Sequence, residues 1–325
     1  MRVSFIIPNF NGEDILRKNL PRVIASAQKY ARDPSHAIEI ILVDDCSTDS
    51  SIAIIEGIFA ENKQRLFTYK LIKNPVNKGF ASTVNNGAKH ASGEILILLN
   101  TDVYPDENED FFSSALAYFK DPNYFAVGFL DKSVEEDGRI VLRGRGVGHW
   151  RRGLLVHKKG NINRQSTLWV SGGSSAYSRG LWEKLGGMNE IYNPFYWEDI
   201  DLSYRALKSG YKIVFEQKCV VVHEHERGAI KQSRSRFAIQ TIAHRNQLMF
   251  VWLNLTDIRL LFSHVLWLPY HLINTLAKGD SAFLLGFVKA LSKLPQITQK
   301  RTEYKKLFVR TDQEIVEEFK DEKIS

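Results

Sequence analysis

Sulfur is scarce in this 325-residue chain: Cys46 and Cys219 are its only cysteines. That excludes a disulfide scaffold and fits a reducing compartment. The opening stretch, MRVSFIIPNF, lacks both the apolar length and the small-residue cleavage site of a secretory signal. It reads as a first buried strand, so the start of the chain is expected on the cytoplasmic side. A clean membrane span is missing too. The longest uncharged stretch, Leu260–Ala277, is broken by His264, Pro269, His271 and Asn274, which suits an interfacial amphipathic helix better than a span. A nucleic-acid reading module is also absent. RGRGVGHWRRG (143–153) is rich in Arg and Gly but has no recognition motif beside it, so no nucleic-acid partner is expected.

What is present is a globular composition, 44% hydrophobic and 25% charged. The net charge of +7 is uneven. Residues 227–311 hold 14 Lys and Arg against three acids, and residues 312–322 hold six acids against one lysine. A basic, aromatic-rich segment beside a nearly neutral one points to an anionic membrane surface. Packing of the same helices on the rest of the protein is the competing expectation.

The first hundred residues alternate. Apolar runs at Val3–Ile7, Ile38–Val43, Thr68–Ile72 and Ile95–Leu99 predict buried strands, and the patterns at 13–30, 50–61 and 82–91 predict helices. Continuous apolar strands alternating with helices predict an α/β fold with a mostly parallel central sheet. Ligands of such sheets sit beyond the strand carboxyl ends. Polar residues stand at all four ends: Pro8-Asn9, Asp44-Asp45, Asn74 and Asn100-Thr101-Asp102. A capped turn accounts for one acid of VDDCSTDSS but not for Asp44 and Asp45 together. A carboxylate at the tip of the fourth strand is a natural ligand for Mg²⁺ or Mn²⁺ carrying a diphosphate.

Residues 123–178 are strand-like and Gly-rich and read as a loop-rich insertion shaping a cleft. A short helix is expected at Arg179–Leu185 and another at Asp199–Ser209, closed by Gly210. Strands near 213–215 and 220–222 lead to His223-Glu224-His225. The residues past 311 read as a charged, solvated tail.

The ordered set SFIIPNFNG (4–12), VDDCSTDSS (43–51), NKGFASTVNNGAKHASGEILILLNTD (77–102), WVSGGSSAYSR (169–179) and FYWEDIDLSYR (195–205) resembles glycosyltransferase family 2. Each motif is weak alone; together, at these spacings, they are specific. The resemblance covers roughly residues 1–225 and implies a GT-A catalytic domain over 1–226, with a nucleotide half (1–105) and an acceptor half (106–226). A basic, aromatic-rich helical region (227–311), expected to associate with a membrane, and the charged tail (312–325) would follow.

The resemblance implies that Asp45, with Asp44 and the backbone at Pro8 and Asn9, meets the base of a nucleoside diphosphate sugar. Lys78 and Asn85 would lie near the nucleotide, with Asn100 and Thr101 beside the diphosphate. Asp102 would hold a divalent metal, with His223 joining the metal or the pyrophosphate. Asp199 matches the catalytic base, with Glu198 the neighbouring alternative, and Asp201 is expected to orient the site or support the fold. Phe195, Tyr196 and Trp197 could stack on a sugar or pack in the core. The first acid of the family's D-x-D motif is Asn100 here, which leaves the metal one carboxylate. The expected reaction is a single displacement with inversion, moving a sugar to a glycan or lipid-linked saccharide on the inner face of the membrane. Arg245-Asn246-Gln247-Leu248 adds a resemblance to bacterial rhamnosyltransferases. The competing readings are transfer directly to polyprenyl phosphate and a catalytically silent sugar-nucleotide-binding membrane scaffold.

Overall fold

In the computed structural model the chain is described over residues 1–31, 36–62, 67–106, 111–135, 137–224 and 235–319. The expected boundary at 226/227 and His225 lie outside the described residues.

Strands β1 (Arg2–Asn9), β2 (Ala37–Asp44), β3 (Phe67–Lys73) and β4 (Ile95–Leu99) pair in parallel in the spatial order β3-β2-β1-β4. Helices α1 (Glu13–Tyr30), α2 (Ser51–Glu61) and α3 (Phe80–His90) make the crossovers. Alternate side chains divide between two cores. Val3, Phe5 and Ile7 pack with Leu16 and Leu20 of α1, whereas Ile6, Leu96 and Leu98 pack with Ala81 and Val84 of α3. Both sheet faces are covered, which is why these strands are apolar throughout rather than alternating.

Beyond β4 the sheet becomes mixed. β10 (Ser174–Ser178) runs antiparallel between β4 and β6 (Tyr124–Val134). β11 (Lys212–Glu224) lies parallel to β6, and β5 (Val103–Pro105) antiparallel to β11. β7 (Ile140–Arg143) pairs with β6, while β8 (Gly146–Arg151) and β9 (Leu154–Lys159) form a separate hairpin. The middle segment is therefore not mainly loop: β6 and β10 are central strands of the sheet. The Gly-Arg run that obscured them builds the hairpin. The two strands expected at 213–215 and 220–222 are one strand, with a register shift between Glu216 and Val220.

Helices α5 (Arg179–Leu185) and α6 (Glu198–Lys208) follow β10, and Gly210 takes φ +82° just past α6. Then come α7 (Arg236–Asn254), α8 (Ile258–Ala277), α9 (Ser281–Leu291), α10 (Leu294–Lys305) and α11 (Asp312–Glu317). Leu248, Met249, Phe250, Val251 and Leu253 of α7 are fully buried in the same core as α3 and α6. The basic region thus begins as part of the main hydrophobic core, because one side of α7 supplies its apolar wall.

The described part of the tail, 312–319, is not solvated. Asp312 is wholly buried, and Ile315 and Phe319 join the core. Asp312 Oδ1 accepts from Lys208 Nζ at 2.7 Å and Tyr204 Oη at 2.8 Å. Its Oδ2 accepts from the backbone N–H groups of Thr256 and Asp257 at 2.6 and 2.7 Å. The buried pair ties the end of α6 to the α7–α8 turn. Sequence pattern missed it because a run of acids reads as solvent-facing unless its single buried partner is known. Asp312→Ala would leave Lys208 charged, buried and unpaired, and should lower stability by about 3–5 kcal/mol in denaturant unfolding.

Candidate active site

The parallel strands end on one edge, and β1 and β2 are in register so that Asn9 faces Asp44. Asn9 Nδ2 donates to Asp44 Oδ1 at 2.8 Å. The other Asp44 oxygen accepts from Ser47 N at 2.9 Å. Asp45 accepts from Asn74 Nδ2 at 2.8 Å and from the backbone N–H groups of Lys78 and Gly79, each at 2.9 Å. Both carboxylates are buried. Like charges are tolerated here because each is absorbed by a separate set of donors. Asp44 fixes the turn after β2, and Asp45 fixes the loop 74–79. The Lys78 side chain is exposed at the rim of that loop. Pro8, on β1, pairs in register with Val43.

Gly79, at φ +85°, has Asn193 Oδ1 and Pro194 Cα only 3.0 Å from where a Cβ would stand. Phe80 N donates to Pro194 O at 3.0 Å. The loop 74–79 therefore abuts the segment that leads into α6. Asn85 does not reach the strand-end edge as expected. Its amide donates to Met188 O at 2.8 Å and accepts from Met188 N at 3.0 Å. It straps α3 to the 186–190 turn and lines a cavity of about 550 Å³ beside α10.

Beyond β4, Asn100 N donates to Gly173 O at 2.9 Å, and Thr101 O accepts from Asn19 Nδ2 at 3.0 Å. β5 then places Val103 opposite His223 of β11. Asp102 Oδ2 lies 3.3 Å from His223 Nε2, and Asp131 Oδ2 lies 2.8 Å from His223 Nδ1. Ser133 Oγ holds the second Asp131 oxygen at 2.8 Å. Burial works against charge on His223, but the hydrogen bonds and charges of Asp102 and Asp131 outweigh it and raise its pKa to about 10. Asp131 was not singled out in the sequence. Its one signal there is an acid closing an apolar strand run, FAVGFLD.

Among the described residues no cluster of three His, Cys, Asp or Glu side chains forms a ready metal cage. Asp102 and His223 stand close enough to take adjacent positions around one ion, which would displace the proton the two carboxylates keep on His223 and bind at Nε2; both side chains are partly exposed. Asn100 Oδ1 is buried and accepts no hydrogen bond. Two protein ligands leave room for phosphate oxygens and water, as hard divalent cations prefer. Asp131 would fix the His223 ring from behind, as carboxylates do for metal-bound histidines.

The side of the site facing α6 is built on two glycines. Gly173 has Asn100 Nδ2 2.3 Å from the position of a Cβ, so any side chain there would displace the Asn100 amide. Gly172 N donates to Asp199 Oδ2 at 3.2 Å, and Ile200 N donates to Asp199 Oδ1 at 2.8 Å. One turn thus touches both the β4 end and the start of α6. Asp199 remains partly exposed, whereas Glu198 is buried with Oε2 unpartnered. Burial raises the pKa of both, and the charge of Asp199 raises Glu198 further, while two backbone N–H groups hold Asp199 down. Of the two neighbours, Asp199 is the one built to carry charge.

Asp201 is structural. It is fully buried, accepting from Tyr192 Oη at 2.9 Å, Asn254 Nδ2 at 2.7 Å and Arg205 Nε at 2.7 Å. The three aromatics separate in role. Phe195 and Trp197 are buried, Trp197 against His157 and Phe250, and only Tyr196 is exposed. Tyr196 and Trp197 sit at φ +71° and +79°, a left-handed conformation unfavourable for side chains with a Cβ. Helix α7 holds them there. Asn246 Nδ2 reaches the carbonyls of Tyr192, Phe195 and Tyr196 at 3.0, 2.9 and 2.8 Å. Arg245 donates to Tyr192 O and Asn193 O. The Arg-Asn pair noticed in the sequence is therefore the clamp on the loop before Asp199.

A family model for glycosyl transferase family 2 matches residues 4–186. The chain is 22% identical over 227 residues to the O-antigen chain rhamnosyltransferase RfbN of Salmonella typhimurium, covering 69% of this chain and 67% of that one. Among solved structures, GalNAc-T7 with UDP, GalNAc and Mn²⁺ aligns at TM-score 0.59 and 21% identity over 78% of this chain, which spans about half, 48%, of that one. The mannosyltransferase PcManGT of Pyrobaculum calidifontis, in complex with GDP-Man and Mn²⁺, aligns at TM-score 0.56 and 18% identity, covering 89% and 87%. The chain belongs to glycosyl transferase family 2, has the GT-A fold, and is a glycosyltransferase.

Asn246→Ala should free the strained loop. Its expected outcome is a fall in kcat of about tenfold or more, as for other mispositioned catalytic groups, with the donor KM little changed. Steady-state kinetics on a folded variant, verified by circular dichroism, would check this.

Proposed function

We propose that this enzyme moves a sugar from a nucleoside diphosphate sugar to a glycan or lipid-linked saccharide, with inversion, in a divalent-metal-dependent single displacement. The observation that carries the reading is the Gly172–Gly173 turn, which bonds Asp199 on one side and Asn100, two residues from Asp102, on the other. The nucleotide would lie along the strand ends, against the loop 74–79 that Asp45 orders and beneath the exposed Lys78. Asp44, Asn9 and Pro8 support that floor, and Asn100 and Thr101 shape the diphosphate end.

Mg²⁺ or Mn²⁺, held by Asp102 and His223, would neutralise charge developing on the leaving nucleoside diphosphate. Asp131 keeps the His223 ring aimed at Asp102. Asp199 accepts the acceptor hydroxyl proton as the hydroxyl oxygen bonds to the anomeric carbon and the diphosphate oxygen departs. Glu198, buried and held neutral, is no second base. A single exposed carboxylate with no second one beside it as nucleophile supports inversion. Tyr196 is the aromatic free to meet a sugar face.

The likeness to a rhamnosyltransferase supports a bacterial surface glycan as the acceptor class and a deoxyhexose or hexose as the sugar. No helix among the described residues is long and apolar enough to cross a membrane. Peripheral attachment on the inner face of the cell membrane is the setting this reading implies, and no nucleic-acid partner is invoked.

Asp199→Asn should retain donor binding yet lose transfer by about 10²–10⁴-fold. Glu198→Gln, which keeps a neutral side chain of the same shape, should stay within roughly tenfold of wild type. Product formation and donor-binding calorimetry on both variants would decide. A Glu198→Gln enzyme as impaired as Asp199→Asn would move the base to Glu198.

A further inference from the structure

Helix α8 buries only His264 and Thr275. Ile258, Phe262, Val265, Leu266, Ile273 and Leu276 are 61–75% exposed. Their spacing places them along one stripe of a 20-residue helix, a strip about 30 Å long at the rise of an α-helix. On α9, Val288 and Leu291 are exposed as well, as is Leu294 at the start of α10. Exposed large apolar residues on a water-soluble surface normally occur singly. A continuous row of them is a surface made to be covered.

The charges around this face have one sign. Between residues 258 and 294 the cations are Arg259, Lys278, Lys289 and Lys293, and the one acid is Asp280. The Asp280 carboxylate is used as a helix cap, accepting from Ala282 N at 3.0 Å. Trp267 and Tyr270 lie on the same helix, half exposed, with the Arg152 guanidinium 5.7 and 5.3 Å from their ring centres. Such rings, apolar in body and polar at the tip, settle at the boundary between lipid and water. A second copy of the chain docking face to face would set these cations against each other, whereas an anionic lipid layer would neutralise them.

The inner side of α8 is tied to the active site by a single hairpin. Trp150 Nε1 donates to Ser263 Oγ at 3.3 Å, His264 Nδ1 lies 2.7 Å from Gly153 O, and His271 Nε2 lies 2.8 Å from Arg152 O. The returning strand β9 presents His157 edge-on to Trp197, ring centres 5.0 Å apart, immediately before Glu198 and Asp199.

We propose that the exposed stripe of α8, extended by α9, is a lipid-docking surface that seats the enzyme in the interfacial layer of an anionic bilayer, lying in its plane rather than crossing it. Its purpose rests on the reading of a lipid-linked acceptor, which the docked face would bring to the side of the enzyme joined to Asp199 by the β8–β9 hairpin. Binding itself is measurable without any transfer reaction, so the two can fail separately.

The test is flotation of the full chain with phosphatidylglycerol-containing vesicles and with pure phosphatidylcholine vesicles. The wild type should float with the former, with binding lowered at high salt and on the order of tenfold weaker on the latter. The double variant Phe262→Asp/Leu266→Asp should lose vesicle binding at an unchanged melting temperature, since neither side chain is buried, and should keep donor hydrolysis. Lys278→Glu/Lys289→Glu should lose the preference for anionic vesicles. A wild type that stays unbound on both vesicle types overturns the proposal, as does a double variant that floats undiminished. Light scattering showing a wild-type dimer that the double variant reduces to monomer also overturns it, assigning the face to a second copy instead.

Discussion

The whole site turns on how closely two backbones approach at Gly172–Gly173. The end of β4 and the start of α6 come from distant parts of the chain and carry the groups proposed as metal ligand and base. The turn joins them with two hydrogen bonds, Gly172 N to Asp199 and Asn100 N to Gly173 O. A side chain at Gly173 would occupy the volume of the Asn100 amide. Glycine here lets the Asn100 amide stay where it is, and much of the surrounding architecture serves to hold the two halves together. The Asp45-ordered loop presses on 193–194 through Gly79, and the Arg245-Asn246 clamp fixes the strained loop 192–197 from the other side.

Carboxylates are sorted by burial and donors rather than by sequence position. Asp44, Asp45, Asp201 and Asp312 are buried and fully engaged, so they serve the fold. Asp102 and Asp199 are partly open and keep free lone pairs, as the proposed metal-ligand and base roles require. Glu198 is buried with too few donors and is pushed toward its neutral form. An unpaired buried charge costs several kcal/mol, which is why neutralisation wins there.

Sequence carried the nucleotide half far. Strand runs and helix patterns are local, and the polar residues at the four strand ends follow from where parallel strands stop. Motif spacing singled out Asp102, His223 and Asp199, and the structure places Asp102 beside His223 and Asp199 on the Gly172 turn. Other features depend on contacts that span the chain. Asp131 meets His223 across 92 positions, and nothing in its strand announces that pairing. Asp45 was expected to face the base, yet its donors on the loop 74–79 appear only once β2 and α3 are side by side. Asn85 looked like a nucleotide neighbour by motif, but α3 turns it toward Met188. Phe195 and Trp197 differ from Tyr196 only in which way a left-handed turn aims them. The tail's acids read as solvated because the lysine that buries Asp312 sits 104 positions earlier.

The central claim is that one sugar is held between a cation site at Asp102 and a base at Asp199. A crystal structure with Mn²⁺ and an intact nucleoside diphosphate sugar tests it most directly. The account predicts the ion on Asp102 and His223, the diphosphate on the strand-end edge, and the anomeric carbon facing Asp199 with room for one hydroxyl between them. An ion bound elsewhere, or a sugar turned away from Asp199, would contradict it.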